Sequence, residues 1–222
     1  MSSPSPFTDA LANGAISRKP RQGRSLASFE RMLSATKALM LERGSEEFTL
    51  QDVSERGSVS IGSIYLRFES KDRLLHAVIA QELQDVVEGE RAMLAGVLGE
   101  CRTLESFLKL YIGRYSAFLE AHAQLLRTIM QRAAIDPAVS EPGKETARRS
   151  VAMSVEAILS FSSEIAGARP ERKAHAVFQI VFATVARQFG LGSTPESGDE
   201  QVWGIMKDEL AEMTLAYLRH AP

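Results

Sequence analysis

A single cysteine, Cys101, gives this 222-residue chain no means of forming an intramolecular disulfide, which fits a reducing compartment. Long hydrophobic runs are missing as well: no stretch approaches the ~18 uninterrupted apolar residues that a membrane-spanning helix requires. The start of the chain, Met1 to Thr8, is rich in Ser and Pro and has no apolar core of signal-peptide length. A soluble cytoplasmic protein without a membrane partner is expected. Charge of one sign is scarce too. The formal net charge is −2, so bulk charge advertises no nucleic-acid partner. The distribution is uneven, however: the first 75 residues carry a small basic excess and the remainder an acidic one.

Catalytic signatures are equally absent. The chain has no Gly-x-Ser-x-Gly elbow, no phosphate-binding Gly-rich loop and no metal-ligand spacing, and His122, His175 and His220 are scattered. Cys101 has no second cysteine to resolve it as a redox sensor. No catalytic residue, metal or cofactor is therefore expected. No alternating strand pattern or fixed-period repeat occurs, so the fold class is all-α.

What is present is helix punctuation. Residues 1–24 are rich in Ser, Pro, Gly and Asn and read as disordered. Phe29, Leu33, Thr36 and Met40 step along one helix face, and Gly44 supplies a stop. Thr49 followed by Asp52 three residues on is a capping-box pattern for a short helix ending near Gly57. Ser60 caps another, roughly Ile61–Phe68, and Ser70 caps a helix running into the nineties. Beyond it, helices are expected from near Thr103, around Leu125 to Arg132, from Val151 to Ile165, over 171–190 and at the C-terminus, about nine in all.

A supporting helix, a short helix, a tight turn and a second short helix form the geometry that delivers a helix into the DNA major groove. On that reading Ser60, Ser63 and Tyr65 offer hydroxyls to phosphates, Lys71 offers a charge, and Gly62 lets the backbone approach closely. The helix starts at Thr49 and Ser60 add backbone N–H groups suited to phosphate oxygens. The cluster Arg18, Lys19, Arg21, Arg24 reads either as a solvated tail or as an arm reaching the minor groove.

The run from Arg31 to Leu75 resembles the DNA-binding domain of the TetR family of transcriptional regulators. The likeness is concentrated in Val59-Ser60-Ile61-Gly62-Ser63-Ile64-Tyr65, then Phe68 and Lys71. The resemblance implies phosphate contacts at Thr49, Ser63, Tyr65 and Lys71, and base-facing positions at Gln51, Ile61, Gly62 and Arg67. Ile61, lacking a hydrogen-bonding group, reads only a thymine methyl or groove shape. Ser54, Gly57 and Ser58 depart from the family's usual Ala, Ala and Gly, so Gly57 is expected to take any left-handed conformation in the turn.

The resemblance further implies a basic arm over 1–24, a helix-turn-helix domain over 25–75 and an effector-binding and dimerisation domain over 76–222. Tyr115, Phe118, Met130, Met153 and Phe161 are candidate pocket residues. The helix over 171–190 carries two apolar stripes and the last helix one, more than a single core-facing side uses. A homodimer face containing Phe178, Phe182, Val202, Met206, Leu210 and Met213 is therefore expected. The expected activity is a cytoplasmic, nucleoid-associated repressor released from a palindromic operator by a small apolar or amphipathic effector. The alternative is a DNA-binding protein of the same fold with no small-molecule effector.

Overall fold

The computed structural model describes residues 6–17, 23–192 and 200–221. Among them lie nine α-helices and no strand: α1 (Pro6–Ala15), α2 (Arg24–Arg43), α3 (Leu50–Gly57), α4 (Ile61–Tyr65), α5 (Lys71–Glu100), α6 (Leu104–Ala133), α7 (Pro137–Leu159), α8 (Pro170–Gln188) and α9 (Glu200–Arg219), with one 3₁₀ turn at Ser162–Glu164. The all-α reading stands. Two compact units share these helices: residues up to Asp85 with Gln124–Thr146, and Val86–Ala123 with residues from Ala147 on.

The first unit is built around one apolar cluster. Met32 and Met40 of α2, Val53 of α3, Ile64 of α4, and Leu74 and Ile79 of α5 are fully buried in it, with Phe68 from the α4–α5 loop. Each such side chain contributes about 1.5–3 kcal/mol by leaving water. Leu11 and Ala15 of α1 join the cluster, which corrects the expectation of disorder over 1–24: residues 6–15 are helical, with an apolar stripe too short to stand out from its Ser- and Pro-rich surroundings. Arg18, Lys19 and Arg21 lie outside the described residues, as does the side chain of Arg24.

A charged cluster braces this unit beneath the helix-turn-helix. Arg132 of α6 reaches Glu46 at 3.1 Å, Asp72 at 3.0 Å and Asp136 at 2.9 Å, and His76 Nε2 meets the same Asp136 carboxylate at 2.7 Å. Burial pushes the Asp136 carboxyl up, but hydrogen bonds from His76 and Arg132 outweigh it and hold the group below the usual carboxylate range.

In the second unit, α6 is one helix rather than the two expected, because no proline or unpaired turn interrupts Leu104–Ala133. The expected helix to Ile165 ends instead at Leu159, and Ile165 follows the 3₁₀ turn. An aromatic ladder runs through the buried Phe107, Tyr111, Tyr115 and Phe178 and ends at the half-buried Phe161 and the exposed Phe182, with centroid spacings from Phe161 to Phe182 of 5.1, 5.4, 5.4, 6.2 and 5.9 Å. At the end of α9, the Lys173 ammonium donates to the carbonyls of Ala166, Tyr217, Leu218 and His220 at 2.5–3.1 Å and so caps the helix's unsatisfied acceptors.

Candidate nucleic-acid interface

The interface region is assembled by caps. Gly44, at φ 60°, ends α2 in the left-handed conformation. Thr49 and Asp52 then cap α3 reciprocally, Asp52 N–H to Thr49 Oγ1 at 3.1 Å and Thr49 N–H to the Asp52 carboxylate at 2.7 Å. The Thr49 amide, then its hydroxyl, with Arg43 adding a smaller pull, holds the Asp52 carboxyl below its ordinary range. That carboxylate occupies the start of α3, where its charge competes with any phosphate placed there. At α4, Ser60 Oγ accepts from Ser63 N–H at 3.2 Å and lies 2.7 Å from Ser63 Oγ.

The turn between α3 and α4 differs from expectation. Ser58, not Gly57, adopts the left-handed conformation, at φ 47° and ψ 49°. Gly57 is instead a buried helical residue against α2: a Cβ there would stand 3.2 Å from the Arg31 carbonyl oxygen and 3.3 Å from Ala35 Cβ. A Cβ at 57 would require these neighbours to give by a few tenths of an ångström, and the left-handed backbone falls one residue later, at Ser58. Ser54 Oγ donates to Val59 O at 2.6 Å and Arg31 Nε to Gly57 O at 3.2 Å, closing the turn.

The residues singled out from the sequence largely converge. Thr49, Gln51, Ile61, Tyr65 and Lys71, with Leu50, Glu69 and Ser70, line one open concavity of about 610 Å³, and Ser60, Gly62 and Ser63 belong to the same short helix. Tyr65 is 58% exposed and Leu66 54%, with Ile61 also in water, an unusual display of large apolar groups on so short an element. Tyr65 has no hydrogen-bond partner among the described residues. Gln51 donates to Glu55 at 2.9 Å on the exposed side of α3. The Lys71 ammonium donates to the Glu46 carbonyl and lies 4.5 Å from the Phe48 ring centroid, so its charge is partly committed to holding the loop before α3.

Arg67 is a correction. It is only 7% exposed, its guanidinium donating to Ser25 Oγ at 2.7 Å beside the Phe29 ring, so it pins the start of α2 rather than facing a base edge. Leu66 was missed; its place next to Tyr65 at the end of a helix too short to bury both neighbours was the available signal.

The other candidate residues are less uniform. Tyr115 is buried in the aromatic ladder, while Phe118, Met153 and Phe161 are half-buried. Met130 is exposed on the part of α6 that belongs to the first unit. Of the expected dimer face, Phe182, Val202, Met206 and Met213 are exposed, joined by Ile180, Ile205 and Tyr217. Phe178 and Leu210 are buried within the chain itself, which corrects their assignment to an outer face: Val177, Phe178, Val181 and Val185 of α8 are buried from both stripes, as are Leu210, Ala211, Thr214 and Leu218 of α9, while Phe182 stays exposed. Among the described residues, no group of three metal-ligating side chains occurs, and no helix is long and apolar enough to cross a membrane.

A short, capped, exposed helix held across two supporting helices defines the class: a helix-turn-helix DNA-binding domain within an all-helical chain. Residues 32–78 match the family model of bacterial regulatory proteins, tetR family. Over 68 residues the chain is 35% identical to the HTH-type transcriptional repressor KstR of Mycolicibacterium smegmatis, covering 30% of this chain and 33% of that protein. The match thus spans about a third of the curated relative. Among solved structures, a TetR-family transcriptional regulator from Mesorhizobium loti MAFF303099 superposes with a TM-score of 0.72 at 18% identity, covering 88% of this chain and 98% of the other. Salmonella enterica GusR gives 0.63 at 20% identity, covering 89% and 98%. At these identities the structures establish the shared fold, which extends over nearly the whole chain.

Proposed function

We propose that the protein is a homodimeric transcriptional repressor that grips two half-sites of a pseudo-palindromic operator and is released when a small apolar or amphipathic ligand binds its second unit. The observation that carries the DNA-binding part is the water-exposed trio Ile61, Tyr65 and Leu66 on a helix whose serines are already committed to its cap. On this reading Tyr65 donates to a phosphate, Ile61 meets a thymine methyl, and Gly62 lets the backbone close on the groove. Thr49, Ser60, Ser63 and Lys71 position α3 and α4 and contact phosphates from the rim, and Gln51 faces the bases. KstR, the relative matched over this segment, is itself described as a repressor.

The exposed Phe182, Val202, Ile205, Met206, Met213 and Tyr217 support the dimer, since so many large apolar groups on α8 and α9 favour coverage by a partner. One observation favours the effector-independent alternative: Tyr111 and Tyr115 are packed shut at the middle of the second unit. A ligand there has to displace half-buried side chains.

The direct test is Tyr65→Phe in a mobility-shift assay. A phosphate contact carries no base information, so affinity for operator and random DNA should fall together, by roughly ten- to a hundredfold, the cost of one hydrogen bond to a charged group. A loss confined to one sequence would refute the phosphate role. No loss on either would remove Tyr65 from the interface.

A further inference from the structure

Two glutamates of α5 are almost completely buried, and they are treated differently. Glu82 is met by the Lys37 ammonium at 2.5 Å. Glu90, 2% exposed, meets only hydroxyls: its Oε1 accepts from Ser150 at 2.7 Å and Ser154 at 3.3 Å, and none of its bonds is to a lysine, arginine or histidine. Neither bond reaches Oε2. The Tyr111 hydroxyl donates to Ser154 Oγ at 3.0 Å, so one carboxyl, two serines and a tyrosine form a polar knot beside Tyr115 in the aromatic ladder.

A carboxylate removed from water without a counter-charge is strongly disfavoured, and in a lone protein it escapes by holding its proton. Burial accordingly pushes the Glu90 carboxyl above its ordinary range. A folded core gains nothing from such a group that leucine would not supply better. The surroundings suit a cation instead. Tyr111 and Tyr115 stack beside the knot at a centroid spacing of 5.4 Å, and aromatic walls attract ammonium groups most strongly where water is excluded. The cover over this region is half-buried: the Phe118 ring lies against Gly89, the residue beside Glu90, where an added Cβ would stand 3.0 Å from Phe118 Cε2.

We propose that Glu90, with Ser150, Ser154, Tyr111 and Tyr115, is the recognition point for an organic cation, a protonated amine or quaternary ammonium carried on an apolar body. The ligand supplies the counter-charge that the chain withholds from Glu90, and its apolar body takes the place of Phe118 and its half-buried neighbours. An anionic ligand supplies no counter-charge at the same point. This assignment rests on the effector reading above and gives that effector its chemical class.

The test uses the full-length protein and three probes of one chain length below their micellar concentrations: decyltrimethylammonium, decanoate and decanol, titrated by calorimetry. Decyltrimethylammonium should bind at least about tenfold more tightly than decanol, and decanoate more weakly than either. Glu90→Gln, which keeps shape and hydrogen bonding, should lower decyltrimethylammonium affinity to that of decanol in the same variant. A merely structural Glu90 would alter stability without altering the order of the three probes. Equal or tighter binding of decanol or decanoate by the wild type overturns the cation assignment and leaves ligand response intact. Retention of the preference in a folded Glu90→Gln protein overturns it too. Failure of all three probes to bind overturns both this assignment and the ligand-released reading. The wild-type ordering decides the matter even if the variant does not fold.

Discussion

Gly57→Ala tests whether the helix-turn-helix is held by the approach of α3 to α2. Taken alone, alanine should help: position 57 is helical, and Ala is favoured over Gly in a helix by about 1 kcal/mol. The added Cβ, however, would stand 3.2 Å from the Arg31 carbonyl oxygen, 3.3 Å from Ala35 Cβ and 3.5 Å from Val59 Cγ2. The first of these atoms belongs to the hydrogen-bonded backbone of α2 and cannot swing aside as a side-chain tip would. Overpacking of this kind costs about 1–3 kcal/mol, and displacing α3 also lengthens the Arg31 Nε to Gly57 O bond, now 3.2 Å, worth about 1 kcal/mol. The net expectation is a loss of about 1–3 kcal/mol. For a chain of this size that lowers Tm by roughly 2–12 °C. Urea unfolding should show a lower midpoint at unchanged slope, and operator affinity should fall because α4 follows α3. An unchanged or raised midpoint would mean that the helix propensity term wins and that the contact is not tight.

The neighbouring substitution Ser58→Gly should do the opposite. Relief of a left-handed non-glycine residue, about 1–2 kcal/mol, exceeds the added freedom of the unfolded chain, about 0.4–1 kcal/mol, so a small rise in urea midpoint is expected and a fall would refute strain at φ 47°. Phe182→Glu should give a folded monomer by sedimentation that no longer binds operator, whereas Leu210→Glu, buried in the chain's own core, should fail to fold by circular dichroism; a dimeric Phe182→Glu protein would displace the interface from α8. Asp136 has a depressed folded-state pKa, so its contribution is fully present above the ordinary carboxylate range and is lost as pH falls from that range through the lower folded-state value. Asp136→Asn should therefore lower the urea midpoint at neutral pH and leave a smaller decline on acidification; wild-type and variant curves that stay parallel would remove the carboxylate from the brace.

The helix-turn-helix was legible because its boundaries are written in local chemistry. Gly44, the Thr49–Asp52 box, Ser60 and Ser70 each satisfy orphan backbone groups within three residues, and all act where expected. Position 58 was misjudged because a glycine signals either left-handed backbone or close approach, and at Gly57 the neighbour that decides between them, Arg31, lies 26 residues away. Arg67 was misplaced for the same reason, since its partner Ser25 is 42 residues distant. Phe178 and Leu210 show the limit of periodicity on α8 and α9: a stripe states that a face is apolar, but not whether the chain's own core is wide enough to absorb it. The Glu90 knot joins α5, α6 and α7, and no spacing in the sequence brings those helices together.

The four carbonyls gathered by Lys173 also bear on how the protein can be handled chemically. An ammonium held by that many acceptors, half-buried and with the Tyr217 ring 5.4 Å away, presents little of its nitrogen to an approaching reagent. Amine-reactive dyes or surface-attachment reagents will instead find Lys109 and Lys144, whose side chains are mostly in water and held only by single exposed ion pairs. Fluorophores can thus be attached on α6 and α7 while the end of α9, and the exposed apolar face that runs along it, stays unmodified.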